Sequence, residues 1–270
     1  MGFSISSSAL GAATGVKGGA TTIRVLLALA PVALPTAYLM YLKRSLARRT
    51  VASARISPPD PPLPASATSS RSGGGDVLPS EVQTAPEEFV VARERVVSAP
   101  VPIAELRPEF VAADGTLDGG LLEAYLGATM RAFSWTPQAL LMARMGGSLA
   151  DPEGYRRTFD SAYLGSCAFE VGDRVCGVYV VRARDGGRVV LDLSPPAGWK
   201  GPVVTGALDV GFDLDGDEVR FVNETVMWRK KEAKPTLLEG KVGRWLHTLM
   251  ASWLVVKGIE VVTGGKVKSS

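Results

Sequence analysis

The sequence predicts an α+β protein: an N-terminal transmembrane helix, a Pro/Ser/Gly linker, and a curved antiparallel sheet gripping a long C-terminal helix. Three observations predict it. Residues 25–42 form one uncharged apolar run, VLLALAPVALPTAYLMYL. A stretch dominated by Pro, Ser, Ala and Gly follows. Beyond residue 87 the apolar period is first mixed, then two over most of residues 166–229, then 3.6 to the end.

The apolar run has 18 residues, enough to span a bilayer with little tilt. Pro31 and Pro35 are compatible with a membrane helix, and Tyr38 and Tyr41 suit the interface. Arg24 precedes the run, whereas Lys43, Arg44, Arg48 and Arg49 follow it. The heavier positive flank places the C-terminal domain in the cytoplasm, with the endoplasmic reticulum favoured. The first 24 residues lack acids, so the mitochondrial inner membrane is the alternative. Residues 1–24 are read as disordered and 43–86 as a flexible linker, because Ser57-Pro58-Pro59-Asp60-Pro61-Pro62 and Ser72-Gly73-Gly74-Gly75 cannot bury enough apolar surface to offset ordering entropy.

The ligand-binding domain is expected at 87–260, with 261–270 as a disordered tail. Residues 89–97 read as the first strand. Leu121, Leu122, Tyr125, Leu126, Met130 and Phe133 share a helical face. Thr136-Pro137 opens a second helix, with Thr as cap and Pro at its first position. Residues 151–163 read as a further short helix. Strands follow at 166–171, 174–184, 188–194, 205–215 and 218–229, broken by Gly172-Asp173, Asp185-Gly186-Gly187 and Asp215-Gly216-Asp217. Residues 235–258 form the closing helix, whose stripe is Leu238, Val242, Trp245, Leu246, Leu249, Trp253 and Val256.

The net charge of +3 gathers beside the apolar run, and the folded region has no basic stripe with interleaved aromatics; nucleic acid is not expected as a partner. Cys167 and Cys176 are too few for a disulfide framework and are read as reduced thiols. The single histidine, His247, is read as facing solvent opposite the Leu249 stripe. No metal is expected, since the turn sequence accounts for Asp215-Gly216-Asp217 and Asp209 and Asp213 lack an EF-hand pattern.

The last strand carries the most chemistry. Its odd positions are Val219, Phe221, Asn223, Thr225 and Met227; its even positions are Arg220, Val222, Glu224, Val226 and Trp228. Both sets are partly apolar, so parity leaves the buried face open. If odd faces in, Asn223 and Thr225 are polar groups in an apolar concavity that a ligand can satisfy. If even faces in, Glu224 is the buried group and a candidate general acid. Tyr179 lies on the apolar face of its strand with a hydroxyl that needs a partner. Asn223, Glu224 and Tyr179 are therefore the candidate catalytic residues, and Phe221, Met227, Trp228, Trp245 and Leu249 the expected ligand-binding set. Trp199 follows Pro195-Pro196-Ala197-Gly198 and suits a pocket mouth.

The order of elements, with Arg93-Glu94-Arg95-Val96-Val97-Ser98-Ala99-Pro100-Val101 as a first strand ending in Ala-Pro and the closing helix around Trp245 to Trp253, resembles the START/Bet v1-like helix-grip superfamily over residues 88–260. The strand count is one short of that family's pattern; an NTF2-like cone is the alternative. The layout, with Asn223-Glu224-Thr225-Val226-Met227-Trp228-Arg229 and the Asp192-Leu193-Ser194-Pro195-Pro196 corner, is also similar to single-pass membrane proteins of fungal polyketide–nonribosomal-peptide gene clusters. These resemblances imply binding of a hydrophobic small molecule and, if catalytic, a cofactor-free cyclisation or isomerisation in secondary-metabolite biosynthesis, with other membrane-bound proteins as partners. A lipid-transfer or lipid-sensing domain and a mitochondrial assembly factor are the alternatives.

Overall fold

The computed structural model describes residues 36–57, 77–112, 115–117 and 120–265. The chain divides into two units, 1–43 and 44–270. Residues 36–46 are helical (α1), and Tyr38, Met40 and Tyr41 are exposed. The rest of the expected 25–42 span, residues 1–24 and residues 58–76 of the expected linker lie outside the described residues, as does Asp118, which the sequence offers as a cap for the helix of Leu121 to Phe133.

The second unit is an α+β domain built on one eight-stranded antiparallel sheet. Its strands are β1 (Thr50–Ser57), β2 (Phe89–Ser98), β3 (Val101–Pro102), β4 (Arg174–Val175), β5 (Tyr179–Arg184), β6 (Arg188–Leu193), β7 (Gly206–Asp215) and β8 (Glu218–Lys230). The order across the sheet is β1-β2-β8-β7-β6-β5-β4, with β3 beside β8. The first core strand thus pairs with the last, and strands four to eight form a meander with hairpin connections.

The start of the expected linker is corrected. Thr50 to Ser57 pair residue by residue with Ser98 to Val91, so this segment caps the free edge of β2. Low apolar content concealed it: Thr-Val-Ala-Ser-Ala-Arg-Ile-Ser gains its order from backbone pairing along β2, not from a buried face of its own. Its entry is pinned as well. Ala99 donates its N–H to the Arg49 carbonyl at 2.7 Å, and the Arg49 guanidinium meets Glu260 at 3.1 Å. At the far end of the linker, Val77, Leu78 and Val82 pack with Phe89, Val91, Val226 and Trp228, through a short helix α2 (Ser80–Thr84).

That packing decides the two faces of β8. The odd face, with Val219 and Phe221, joins the main core under the helices. The even face carries Val226 and Trp228 under the 77–84 segment and, further along, Glu224 between Arg93 and Arg95. Both faces are therefore partly covered, which is why the sequence showed no clean alternation.

Four helices connect β2 to the meander: α3 (Gly120–Ser134), α4 (Pro137–Met145), α5 (Pro152–Arg157) and α6 (Ser161–Ser166). α3 buries the six apolar residues its spacing marks. The α4 cap is as expected, with the Thr136 hydroxyl accepting from Ala139 N–H at 3.2 Å. Asp151 caps α5 through Gly154 N–H at 2.9 Å. Residues 166–171, expected as a strand, instead end α6 and continue as irregular chain that inserts Phe169 into the core; the strand expected at 174–184 is broken at Cys176 and Gly177. Cys176 has φ of 45° and Gly177 φ of 79°, both left-handed. A Cβ at Gly177 would lie 2.5 Å from the Tyr155 hydroxyl oxygen, so only glycine fits this bend. Both thiols are free, and burial pushes Cys176 well above the ordinary thiol range.

The closing helix α7 runs Lys241–Val262 and packs along α3 and across β1, β2 and β8. It starts later than the expected residue 235. Gly240 is extended, and Thr236 and Glu239 close a separate turn in which Thr236 N–H donates to Glu239 Oε1 at 2.7 Å. It also ends later, so 261–265 belong to the domain rather than to a tail; Thr263 is buried. The predicted stripe holds in the second half only. Val242 is 72% and Leu246 46% exposed, whereas Leu254, Val255 and Val256 are core. Among the described residues α7 is the one helix long and apolar enough to cross a membrane, and half of that stretch is buried in the domain.

α3 and α7 cross closely at Gly258, where a Cβ would meet the Tyr125 ring at 2.4 Å. Gly258→Ala is expected to lower Tm by several degrees in a thermal melt, an overpacking cost of about 1–3 kcal/mol. A second check uses acid. Hydrogen bonds from Arg229, at 2.8 and 2.7 Å, hold the Glu239 carboxyl down to about 2. A depressed folded-state value means the pair stabilises above the ordinary carboxyl range and stops doing so as pH falls towards 2. The Tm difference between wild type and Glu239→Gln is expected to be full at pH 6 and to shrink steadily below pH ~4.3.

Candidate functional site

β2, β8 and β7 present two adjacent rows of side chains to the helices. Glu94 on β2 pairs with Thr225 on β8, which pairs with Leu208 on β7; Val96, Asn223 and Val210 form the adjacent row. Two rows of a sheet thus place a carboxyl, a carboxamide and a hydroxyl inside an otherwise apolar layer. Glu94 is 1% exposed. Its Oε1 faces His247 Nδ1 at 2.9 Å and its Oε2 accepts from the Thr248 hydroxyl at 3.0 Å. Both partners come from α7. This corrects the reading of His247 as solvent-facing. The helix is rotated so that His247 and Thr248 meet Glu94, and Val242 and Leu246 are turned outward instead.

His247 lines a small cavity with Asn223, Thr225, Thr129, Tyr179 and the apolar groups Met130, Phe133, Leu208, Met250, Ala251 and Leu254. Its volume is about 30 Å³. That is room for a water molecule or two, or for a carbonyl group, but not for a ring. Asn223 is 6% exposed, and its Oδ1 has no hydrogen-bond partner among the described residues. Thr129 and Tyr125 sit one turn apart on α3 with their hydroxyls turned to each other. Buried polar atoms normally find partners, so the Asn223 amide marks a place built for something polar.

Tyr179 also belongs to a second, larger pocket. This one has a volume of about 220 Å³ and is lined by Gln138, Leu141, Met142, Met145, Val178, Leu193, Pro195, Trp199, Pro202 and Val204. It sits at the end of the sheet where β5 begins, β6 ends and β7 has not yet started. Trp199 is fixed there by its indole N–H donating to the Pro202 carbonyl at 3.2 Å and by a tilted contact with Tyr155 at 6.1 Å. Tyr155 is itself held by a hydrogen bond to the Met142 carbonyl, and desolvation pushes its hydroxyl up to about 12. The left-handed Cys176-Gly177 bend aims the next two residues, Val178 and Tyr179, at this pocket. Phe133 meets Tyr179 edge-on at 5.7 Å, and burial raises the Tyr179 hydroxyl far above the ordinary phenol range, so it stays a donor.

The candidate residues separate accordingly. Asn223 and Tyr179 lie at the cavity. Glu224 does not: it is on the opposite face, bridged to Arg93 at 3.2 Å and Arg95 at 3.1 Å. Arg95 continues to Asp213 at 3.3 Å, and Arg188 joins Asp209 at 3.1 Å, so the shared-face aspartates hold arginine. Of the expected ligand-lining set, Phe221 stacks on Tyr125 at 4.5 Å in the core, and Trp228 packs under Val77 and Leu78 on the far face. Met227 packs with Ala92 and Leu238, and Trp245 and Leu249 line neither pocket. Asn223-Glu224-Thr225 fits the glycosylation sequon, but Asn223 faces inward and is 6% exposed, so it is not an acceptor in this fold. Glu94 and His247 are not among the candidates the sequence offers. Glu94 stands between Arg93 and Arg95 in a run that gives no sign of which face is buried, and His247 lies opposite the Leu249 stripe.

Asn223→Leu separates a functional amide from a structural one. An orphaned buried polar atom costs roughly 1–3 kcal/mol. Replacing it with a side chain of similar size is expected to leave Tm unchanged or raise it by a few degrees in a thermal melt, whereas a structural amide would lower it. No known family model, curated protein or solved structure matches the chain, so the site's own geometry carries the functional reading.

Proposed function

We propose that this chain is a membrane-anchored protein that holds a hydrophobic small molecule and assists a cyclisation or isomerisation of it. The observation that carries the proposal is the 220 Å³ apolar pocket at the end of the sheet, sharing Tyr179 with the polar inner cavity. An apolar cavity of about 150 Å³ holds benzene, so the outer pocket takes one or two rings or a short chain. Exposed Leu141 and Val203 give its rim an apolar approach. Such a mouth suits a ligand delivered from lipid or from a neighbouring membrane protein.

The strand, helix cluster, meander and closing helix follow the order expected of a helix-grip domain, with β1 as an added edge strand. That order favours this reading over an NTF2-like cone, which has no place for α7. The resemblance to fungal cluster proteins motivates secondary-metabolite biosynthesis as the setting. Anchoring rests on the apolar 25–42 run and its basic flank.

Leu141→Asp puts a charge on the exposed pocket wall without disturbing the core. Binding of an apolar fluorescent probe to the full-length protein in detergent is expected to weaken about tenfold or more. Leu214→Asp, an equally exposed apolar site on β7, should leave binding unchanged. Equal weakening in both variants, or none in either, would sink the pocket assignment.

A further inference from the structure

We infer that His247 is a catalytic base in the inner cavity, positioned by Glu94, and that it moves a proton next to a ligand carbonyl held by Asn223. The inference rests on the ligand-binding reading and names the chemistry of the same site.

The argument begins with the two imidazole nitrogens. Glu94 takes Nδ1, at 2.9 Å. A proton on Nδ1 shared with the carboxyl leaves Nε2 with a free lone pair, the tautomer a base requires. The carboxyl is itself held from its second oxygen by Thr248, so neither member of the pair can rotate freely. His247 is the one imidazole in the chain, and it lines the cavity that also holds Asn223. The Asn223 Oδ1 has no donor there, and a half-turn of the amide plane puts the Nδ2 donor in its place. A structural histidine needs no such amide across from it. A base acting on a carbonyl compound is served by one, because charge develops on the carbonyl oxygen as the proton leaves and calls for a donor.

The cavity size selects the ligand group. About 30 Å³ admits a carbonyl and its adjoining carbon, while the rings or chain stay in the outer pocket beside Tyr179. The substrate class is therefore a ketone or thioester with an apolar body and a hydrogen on the carbon next to the carbonyl. In the first step Nε2 takes that hydrogen as a proton. The C–H electron pair becomes a carbon–carbon double bond and the carbonyl pair moves to oxygen, where Asn223 Nδ2, turned inward, and the Thr225 hydroxyl donate to it. In the second step the imidazolium returns the proton. Return to the same carbon gives exchange with solvent; return to the far carbon of an adjacent alkene moves the double bond into conjugation. No electron is gained or lost overall. The enolate formed between the two steps is also a carbon nucleophile, which joins this chemistry to a ring closure. Glu94 touches no substrate and acts only through His247.

The test uses the full-length protein in detergent with acetophenone, a one-ring ketone whose methyl hydrogens alone are next to the carbonyl. Proton NMR in D2O follows loss of the methyl signal, and ligand-observed NMR reports binding of the same probe. Wild type is expected to accelerate exchange at least about a hundredfold over buffer. His247→Gln should abolish it while binding persists, and His247→Ala should regain exchange when imidazole is added. Glu94→Gln should lower kcat with KM little changed, which a purely structural role would not produce. Binding without exchange in wild type, or exchange surviving His247→Gln, overturns the inference and leaves the binding reading intact. Absence of binding overturns both.

Discussion

The helix-facing side of this domain has to accommodate one buried carboxyl. Glu94 sits mid-strand on β2, in a layer it shares with the apolar Val96, Leu208, Val210 and Phe221. A carboxyl there is tolerable only with partners, and stripping a buried ion-paired group of them costs about 3–5 kcal/mol. Its partners come from a single turn of α7. This requirement and the apolar packing of the second half of α7 agree on one rotation of the helix. It turns His247 and Thr248 to the sheet and leaves two large apolar side chains, Val242 and Leu246, in water.

The same requirement creates the cavity. With His247 drawn to Glu94, the space above Asn223 and Thr225 is bordered by an imidazole rather than filled by a leucine. The second half of α7 then returns to ordinary close packing, with Gly258 pressed against Tyr125 and Leu254 to Val256 in the core. One helix thus has a loose polar half and a tight apolar half. The tight half fixes the loose one, which is how a site can keep unsatisfied groups without collapsing.

Much of the fold was legible in the sequence because its signals were local. Period-two runs marked β6, β7 and β8, and Thr136-Pro137 marked the start of α4. What escaped depended on partners far away in the chain. β1 has no apolar stripe to read; its order comes from the edge of β2 some forty residues later. The parity of β8 was ambiguous because both faces are covered, one of them by the 77–84 segment. Asn223 and Tyr179 were found since a polar group on an apolar face is visible in one strand. The Glu94–His247 contact joins residues 153 positions apart, and no window contains both.

The β1 pairing changes which strand ends the sheet. β2 carries the buried Glu94, and β1 takes up the hydrogen-bonding edge that β2 would otherwise offer. An unpaired edge is a ready template for a second chain. The strand that holds the site is thereby screened from such pairing. The edge left on that side of the sheet belongs to a strand whose side chains are mostly small or polar, and exposed over residues 51–56.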